Sequence, residues 1–189
     1  VTSADTGEAT VSAATLTFTS ANWDSAQTVT VTGVDDTLAD GSQSTSITMS
    51  VVDESSDNNF DALADQTVTA TTTDNDTAAF TLSTTTATVT EAGGTATFTV
   101  VLDVQPVGNV VIDVTSGDTG EATVSPASLT FTTGNWDTPQ TVTITGVEGA
   151  SVSDSTTTTI TVSVNDGSSE DNYDSVSDQT VSTLSLIHI

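Results

Sequence analysis

The sequence predicts an all-β chain of antiparallel β-sandwiches in tandem, and three observations carry that expectation. The chain spells one stretch twice: Val114–Val147 reads VTSGDTGEATVSPASLTFTTGNWDTPQTVTITGV, and Val1–Val34 reads VTSADTGEATVSAATLTFTSANWDSAQTVTVTGV. Its apolar residues alternate with Thr and Ser at a period of two, the signature of half-buried strands. Clusters of turn-forming residues interrupt the alternation at short intervals.

The repeat sets the domain organisation. Trp136 follows Trp23 by 113 positions, as Phe131 follows Phe18 and Gln179 follows Gln66. Aligning 1–70 with 114–183 needs no gap, and 41 of the 70 pairs are identical. A unit of this size is a whole domain rather than one turn of a solenoid or one propeller blade. Thr77–Asp113 has no counterpart ahead of Val1. The expected organisation is therefore the C-terminal two-thirds of a first sandwich repeat over 1–76 and a second repeat over 77–183. The run Leu184-Ser185-Leu186-Ile187-His188-Ile189 shares nothing with the repeat and contains the only His. It resembles a translated sequencing adapter, so 184–189 is expected to be a non-native tail; a divergent natural C-terminus is the alternative.

Each strand follows from its own alternation. Thr28-Val29-Thr30-Val31-Thr32 and its copy Thr141-Val142-Thr143-Ile144-Thr145 put β-branched aliphatics on one face and Thr on the other, which suits a pleated, half-buried surface. Ile47, Met49 and Val51 form another stripe, as do Ile160, Val162 and Val164. Ala96, Phe98, Val100 and Leu102 make a third, and Val110, Ile112 and Val114 a fourth. Turns are marked by Glu91-Ala92-Gly93-Gly94, Pro106-Val107-Gly108-Asn109, Gly117-Asp118-Thr119-Gly120 and Gly134-Asn135. The second repeat is expected to hold strands at 78–82, 86–91, 94–102, 108–115, 121–124, 128–132, 139–147, 156–165 and 178–183. The first is expected to hold strands at 8–11, 15–19, 27–34, 44–52 and 66–72. About seven or more short strands per unit, spaced by turns, indicate an immunoglobulin-like sandwich. No window has a 3.6-residue period, so helix should be nearly absent. The first repeat lacks the strands that would cover 27–34 and 44–52, so Val29, Val31, Ile47 and Met49 should lose their cover.

Composition narrows the function. The chain has no Lys or Arg against 26 acidic residues, a formal charge of −26. Nucleic acid is excluded as a direct partner because nothing can neutralise phosphate. No apolar run is long enough to insert directly into a membrane, and an anionic surface could be approached only through a bridging divalent cation. Cysteine is absent, so disulfides do not hold the fold together. With no Cys, Lys or Arg, and one suspect His, no catalytic triad, thiolate or Schiff base can be assembled. The chain is not expected to be an enzyme.

Two features admit two readings each. Trp23 and Trp136 each stand between Asn and Asp before the most regular strand; they serve as sugar-stacking platforms or as plugs over one end of a sandwich. Acidic residues in loops bind a cation or simply solvate turns, where Asp is at home. The run Asp53, Asp57, Asp61 and Asp65 surrounds Phe60, whose copy is Tyr173, and the two aromatics look like packing anchors.

The order of elements supports a family resemblance. Thr88-Val89-Thr90-Glu91-Ala92-Gly93-Gly94 leads into Thr95–Leu102, followed by Gly108–Val114, the Ser116-Gly117-Asp118 turn, Leu129-Thr130-Phe131 and Gln140–Val147. The first repeat ends the pattern with Val34-Asp35-Asp36, a later strand, and Asp74-Asn75-Asp76. This resembles a Calx-beta domain, of the divergent type repeated in tandem in very large bacterial surface proteins. The resemblance implies calcium held by acidic residues from several loops at one end of the sandwich. Carried over by position, the ligands would be Asp5, Asp35, Asp36, Asp40, Asp74 and Asp76 in the first repeat. In the second they would be Glu91, Asp118 and Glu148. The second repeat departs from the pattern where Asp36 becomes Gly149, Asp40 becomes Ser153, and the acidic triplet becomes Ile187-His188-Ile189. On this resemblance the chain would be a spacer or adhesin repeat of a secreted or cell-surface protein, stiffened by calcium at the junctions between repeats. Its partners would be neighbouring repeats of the same chain and cell-surface or matrix glycans. A glycan- or ligand-binding sandwich module is the alternative.

Overall fold

A computed structural model describes residues 1–148 and 155–186. Gly149, Ser153 and the Ile187-His188-Ile189 end of the expected tail lie outside the described residues. The chain divides into two compact units. The first comprises Val1–Asp36 and Gly41–Asn75; the second takes Thr37–Asp40 together with Asp76 onward. The chain is all-β, and among the described residues helix is confined to single 3-10 turns at Asp53–Ser55, Asp166–Ser168 and Asp171–Tyr173.

In the first unit, β1 (Thr2–Ser3), β4 (Gln43–Met49) and β5 (Gln66–Thr72) form a three-stranded antiparallel sheet in the order β1-β4-β5. β2 (Ala9–Val11) and β3 (Val31–Gly33) form a separate antiparallel pair. Residues 15–19, expected as a strand, are not one, and the expected strand 27–34 shrinks to three residues.

The second unit explains both losses. It contains β6 (Phe80–Leu82), β7 (Thr86–Thr90), β8 (Thr95–Leu102), β9 (Val110–Ser116) and β10 (Ala122–Ser125). These are followed by β11 (Ser128–Phe131), β12 (Gln140–Gly146), β13 (Thr156–Val164) and β14 (Gln179–Leu186). The copy of 15–19 is β11, which pairs through Ser128–Phe131 with Val110–Asp113 of β9. The copy of 27–32 is most of β12, which pairs through Gln140–Thr145 with Thr95–Val100 of β8. Both partners lie in the stretch 77–113, which the alignment of 1–70 with 114–183 leaves unmatched. Alternation selects the face a residue shows, but a ladder also needs a neighbour to receive its N–H and C=O groups.

The second unit is an immunoglobulin-like β-sandwich. One sheet runs β10-β12-β8-β6 and the other β11-β9-β13-β14-β7. Among the described strands every pairing is antiparallel except β7 with β14, which is parallel, and a single parallel bridge joins Leu38 to Gln105. The alternating stripes meet between the sheets: Phe98, Val142 and Ile144 from one, Ile112, Ile160 and Val181 from the other, all essentially inaccessible. Ala39, from the Thr37–Asp40 segment, joins this core. Its N–H donates to the Gln105 carbonyl at 3.1 Å, and the Gln105 N–H donates to the Thr37 carbonyl at 3.3 Å.

β14 extends to Leu186, past the expected end at Thr183. Leu184, Ser185 and Leu186 pair with Thr88, Val89 and Thr90 of β7, and Leu184 and Ser185 also pair with β13. The backbone continues because the repeat places strand here: β5 runs to Thr72, the counterpart of Ser185. The side chains fit less well. Ser185 and Thr183 are buried with hydroxyl oxygens that have no hydrogen-bond partner, and Leu184 and Leu186 take the half-exposed positions.

The loop before β14 is anchored from inside. Tyr173 is fully buried, and its hydroxyl donates to the Val104 carbonyl at 2.6 Å. Burial pushes its phenol above the usual range. Beside it, Glu170 Oε2 accepts the Gly108 N–H at 2.6 Å, while Oε1 is buried with no partner. Burial raises the Glu170 pKa, the amides of Gly108 and Val107 oppose the rise, and the charges of Asp171 and Asp40 add to it. A carboxyl whose pKa is raised on folding favours the folded state while protonated. That contribution is full below the ordinary glutamate value and is lost as pH climbs through the raised one. Glu170→Gln keeps an oxygen for the two amides and removes the charge. Its melting temperature should match the parent near pH 4 and exceed it increasingly toward pH 8. A difference that stays constant across that range would contradict this account.

Candidate metal-binding ends

The acidic residues singled out from the sequence fall into two roles. Asp5 and Asp118 are turn residues: each accepts through Oδ1 the N–H two positions on, Gly7 or Gly120, at 2.8 Å. The side chains thereby mimic a backbone turn, which is the ordinary use of Asp at such positions. Asp57 does the same for Asn59 at 3.0 Å. Asp35 is exposed. Asp74 accepts the Gly41 N–H through Oδ2 at 2.8 Å, and Gly41 has φ +74°, a conformation open to glycine. Asp40 and Asp76 belong to the second unit.

A residue absent from the sequence-derived set is central in the first unit. Glu8 and Asp36 bring carboxylate oxygens within 4.8 Å of one another. The backbone enforces this, because Val34 donates its N–H to the Glu8 carbonyl at 2.9 Å just before Asp35 and Asp36 leave β3. Thr72 Oγ1 donates to the same carbonyl at 2.8 Å. The signal was present in the repeat, since Gly7-Glu8 recurs unchanged as Gly120-Glu121.

The copy in the second unit is built the same way. Val147 donates to the Glu121 carbonyl at 2.9 Å, and Gly146 donates to the Gly94 carbonyl at 2.9 Å. The end of β12 thus ties the Glu91–Gly94 turn, Glu121 and Glu148 to one end of the sandwich. The N–H groups of Glu121 and Ala122 close on the Asp118 carbonyl at 3.3 and 3.1 Å. Glu91 is buried, Glu148 exposed, and Glu121 Oε2 is buried with no hydrogen-bond partner. A buried carboxylate oxygen without a donor is costly, and a chain with no Lys or Arg has no side-chain cation to supply other than its one His. Hard oxygen donors gathered from several loops fit calcium, which takes six to eight such ligands. The residue types present therefore suit the ion: Glu8 and Asp36 approach one another in the first unit, and Glu91, Glu121 and Glu148 share one end of the second without their carboxylates converging on a point among the described residues.

The two Trp residues differ. Trp136 packs partly buried against the core, and its carbonyl accepts the Leu102 N–H at 3.1 Å. Trp23 is 72% exposed. The loops themselves are alike: Asn22 and Asn135 accept the N–H groups of Thr19 and Thr132, and Gln27 and Gln140 each donate at 2.8 Å to the carbonyls of Thr17 and Thr130.

No family model matches the chain, and no curated protein matches it. Among solved structures, it is similar to domains 1–6 of the surface layer protein SbsC, with 19% identity over 84% of this chain and 18% of that one, at a TM-score of 0.45. SbsC domains 4 and 5 give 23% identity over 64% and 59%, at a TM-score of 0.40. The periplasmic chaperone SfaE gives 10% identity over 58% and 60%, at a TM-score of 0.46. The chain thus spans less than two thirds of each of these structures.

Proposed function

We propose that this chain is a structural repeat segment of a large secreted or cell-surface protein, akin to Calx-beta repeats, and that calcium binds the acidic end of its units. The observation that carries the reading is the partnerless, buried Glu121 Oε2, set at the same end as Glu91 and Glu148 in a chain without Lys or Arg. The close approach of Glu8 and Asp36 supports the same chemistry in the first unit. Crowded carboxylates repel unless a cation or protons offset them. Calcium supplies two positive charges and leaves the chain's own groups to position it. Asp35, Asp40, Asp74 and Asp76 are close in sequence to the first group or to the linking segment, and calcium taken up there would stiffen an array of such repeats. Neighbouring repeats are the partners this reading requires.

Calorimetry tests it. Millimolar calcium at matched ionic strength should raise the melting temperature by mass action, worth about 2.7 kcal/mol once the ion exceeds its dissociation constant a hundredfold. Magnesium, which demands a stricter octahedral shell, should do less. Glu91→Gln combined with Glu121→Gln should remove the response of the second unit. A melting profile indifferent to calcium would end the proposal. A glycan-binding module is the second reading, and Trp23 is the exposed aromatic that favours it; a glycan array separates the two.

A further inference from the structure

The first unit exposes an apolar face whose every main member has a buried copy. Phe18 is 53% exposed, Phe60 54% and Val68 53%, while their counterparts Phe131, Tyr173 and Val181 are completely buried. Val31 is 38% exposed where Ile144 is inaccessible. Trp23 follows the same rule beside the half-buried Trp136. The hydrogen bonds of the loop that carries each Trp are the same in both copies, and what the first copy lacks is the pairing and cover of neighbouring strands. Ile47 is the exception; it is buried already in the β4–β5 sheet.

The second unit shows what provides the cover. Phe98 and Val100 come from β8, which pairs with the copy of β3; Val110 and Ile112 come from β9, which pairs with the copy of 15–19. β7 closes the edge of β14, the copy of β5. All of these lie within 78–113. The register also fixes how such a segment would enter. Val1 corresponds to Val114, in the middle of β9, so β1 matches the second half of that strand. Thr2 and Ser3 already pair with Thr48 and Ile47 as Thr115 and Ser116 pair with Thr161 and Ile160.

We infer that the open face of the first unit is a docking site for a strand segment of the Ala78–Asp113 kind, entering beside β3 and β5. The occupant is defined by its chemistry: alternating Thr and large apolar residues, with an aromatic at the Phe98 position to meet Phe18 and Phe60 and an edge strand for β5. Burial of side chains of this size is worth roughly 1.5–3 kcal/mol each.

The test extends the 189-residue chain by placing a second copy of residues 77–113 directly ahead of Val1. Trp23 emission should shift to the blue, and amide exchange at 15–19 and 27–32 should slow by at least a hundredfold, reaching the rates of 128–132 and 140–145. A Trp23→Phe version should lose the emission change and keep the exchange protection. Phe98→Asp and Val100→Asp made in the added copy alone should abolish both effects, which separates docking from tethering. The extended chain should stay monomeric by light scattering. Unchanged exchange at 15–19 and 27–32 would overturn the inference. So would protection of these amides in the unextended chain on dimerisation, since a second copy would then be the occupant. Calcium is omitted throughout, so the outcome is independent of the metal reading.

Discussion

Phe131→Ala should destabilise the second unit by about 3–5 kcal/mol, while Phe18→Ala, at the same place in the repeat, should stay within about 0.5 kcal/mol of the parent. Phe131 is wholly enclosed between the two sheets, so truncation removes its buried area and leaves a cavity among side chains that cannot all close in. Phe18 is more than half in water and has little to lose. The sequence context is nearly identical, Leu-Thr-Phe-Thr in both, which removes intrinsic propensity from the comparison. A whole domain is stable by only about 5–15 kcal/mol, so Phe131→Ala should lower the denaturation midpoint steeply. Denaturant titration followed at Trp136, with segment-resolved hydrogen exchange, reads both variants. Equal effects at the two positions would mean that Phe18 is covered in solution.

The second large effect concerns a glycine pair. A Cβ built on Gly146 would lie 2.9 Å from the Thr90 carbonyl carbon and nearer still to its oxygen. The obstacle is backbone, which cannot swing aside as a side chain can, and Gly146 is buried and paired with Ala122. Its N–H also holds the Gly94 carbonyl. Gly146→Ala must therefore push β12 from the Glu91–Gly94 turn, at a cost near the upper end of the 1–3 kcal/mol typical of overpacking. It should also weaken any cation binding that uses Glu91 and Glu121. At the copy, a Cβ on Gly33 would meet only the Thr72 side chain, closest at Cγ2, 3.3 Å away, a neighbour that need shift by only a few tenths of an ångström, so Gly33→Ala should cost well under ~1 kcal/mol. Thermal melts of the two variants decide the matter, and a benign Gly146→Ala would mean that β7 and β12 separate more easily than their packing suggests.

The strands of the second unit were legible in the sequence because alternation and turn residues agreed at every step. The expected 139–147 became Gln140–Gly146 and the expected 128–132 became Ser128–Phe131. The same patterns at 15–19 and 27–34 read just as clearly and gave almost no strand. Periodicity is a property of one segment, and pairing is a property of two. The residues of the acidic ends are harder to read from the sequence than the strands are. Glu91 and Glu148 are named only by the family resemblance, and Glu8 and Glu121 follow glycine in a turn and look like any solvated turn acid. Only the hydrogen bonds from Val34 and Val147 place them beside the end of the neighbouring strand.

The lengths of the strands carry a consequence for aggregation. The sheet edges of the second unit are its shortest strands: β6 with three residues, β10 and β11 with four, and β7 with five. The interior strands run from seven to nine. An open edge invites any matching strand, and a chain that carries two near-copies of one unit brings matching strands with it. Lysine is the common deterrent on such edges, and this chain has none. Brevity takes over that duty, since three to five residues offer an intruding strand too few ladder bonds to hold it. The first unit breaks the pattern at β5, a seven-residue edge that carries the exposed Val68. Left bare, it is the edge among the described strands at which molecules of this chain would begin to exchange strands and clump.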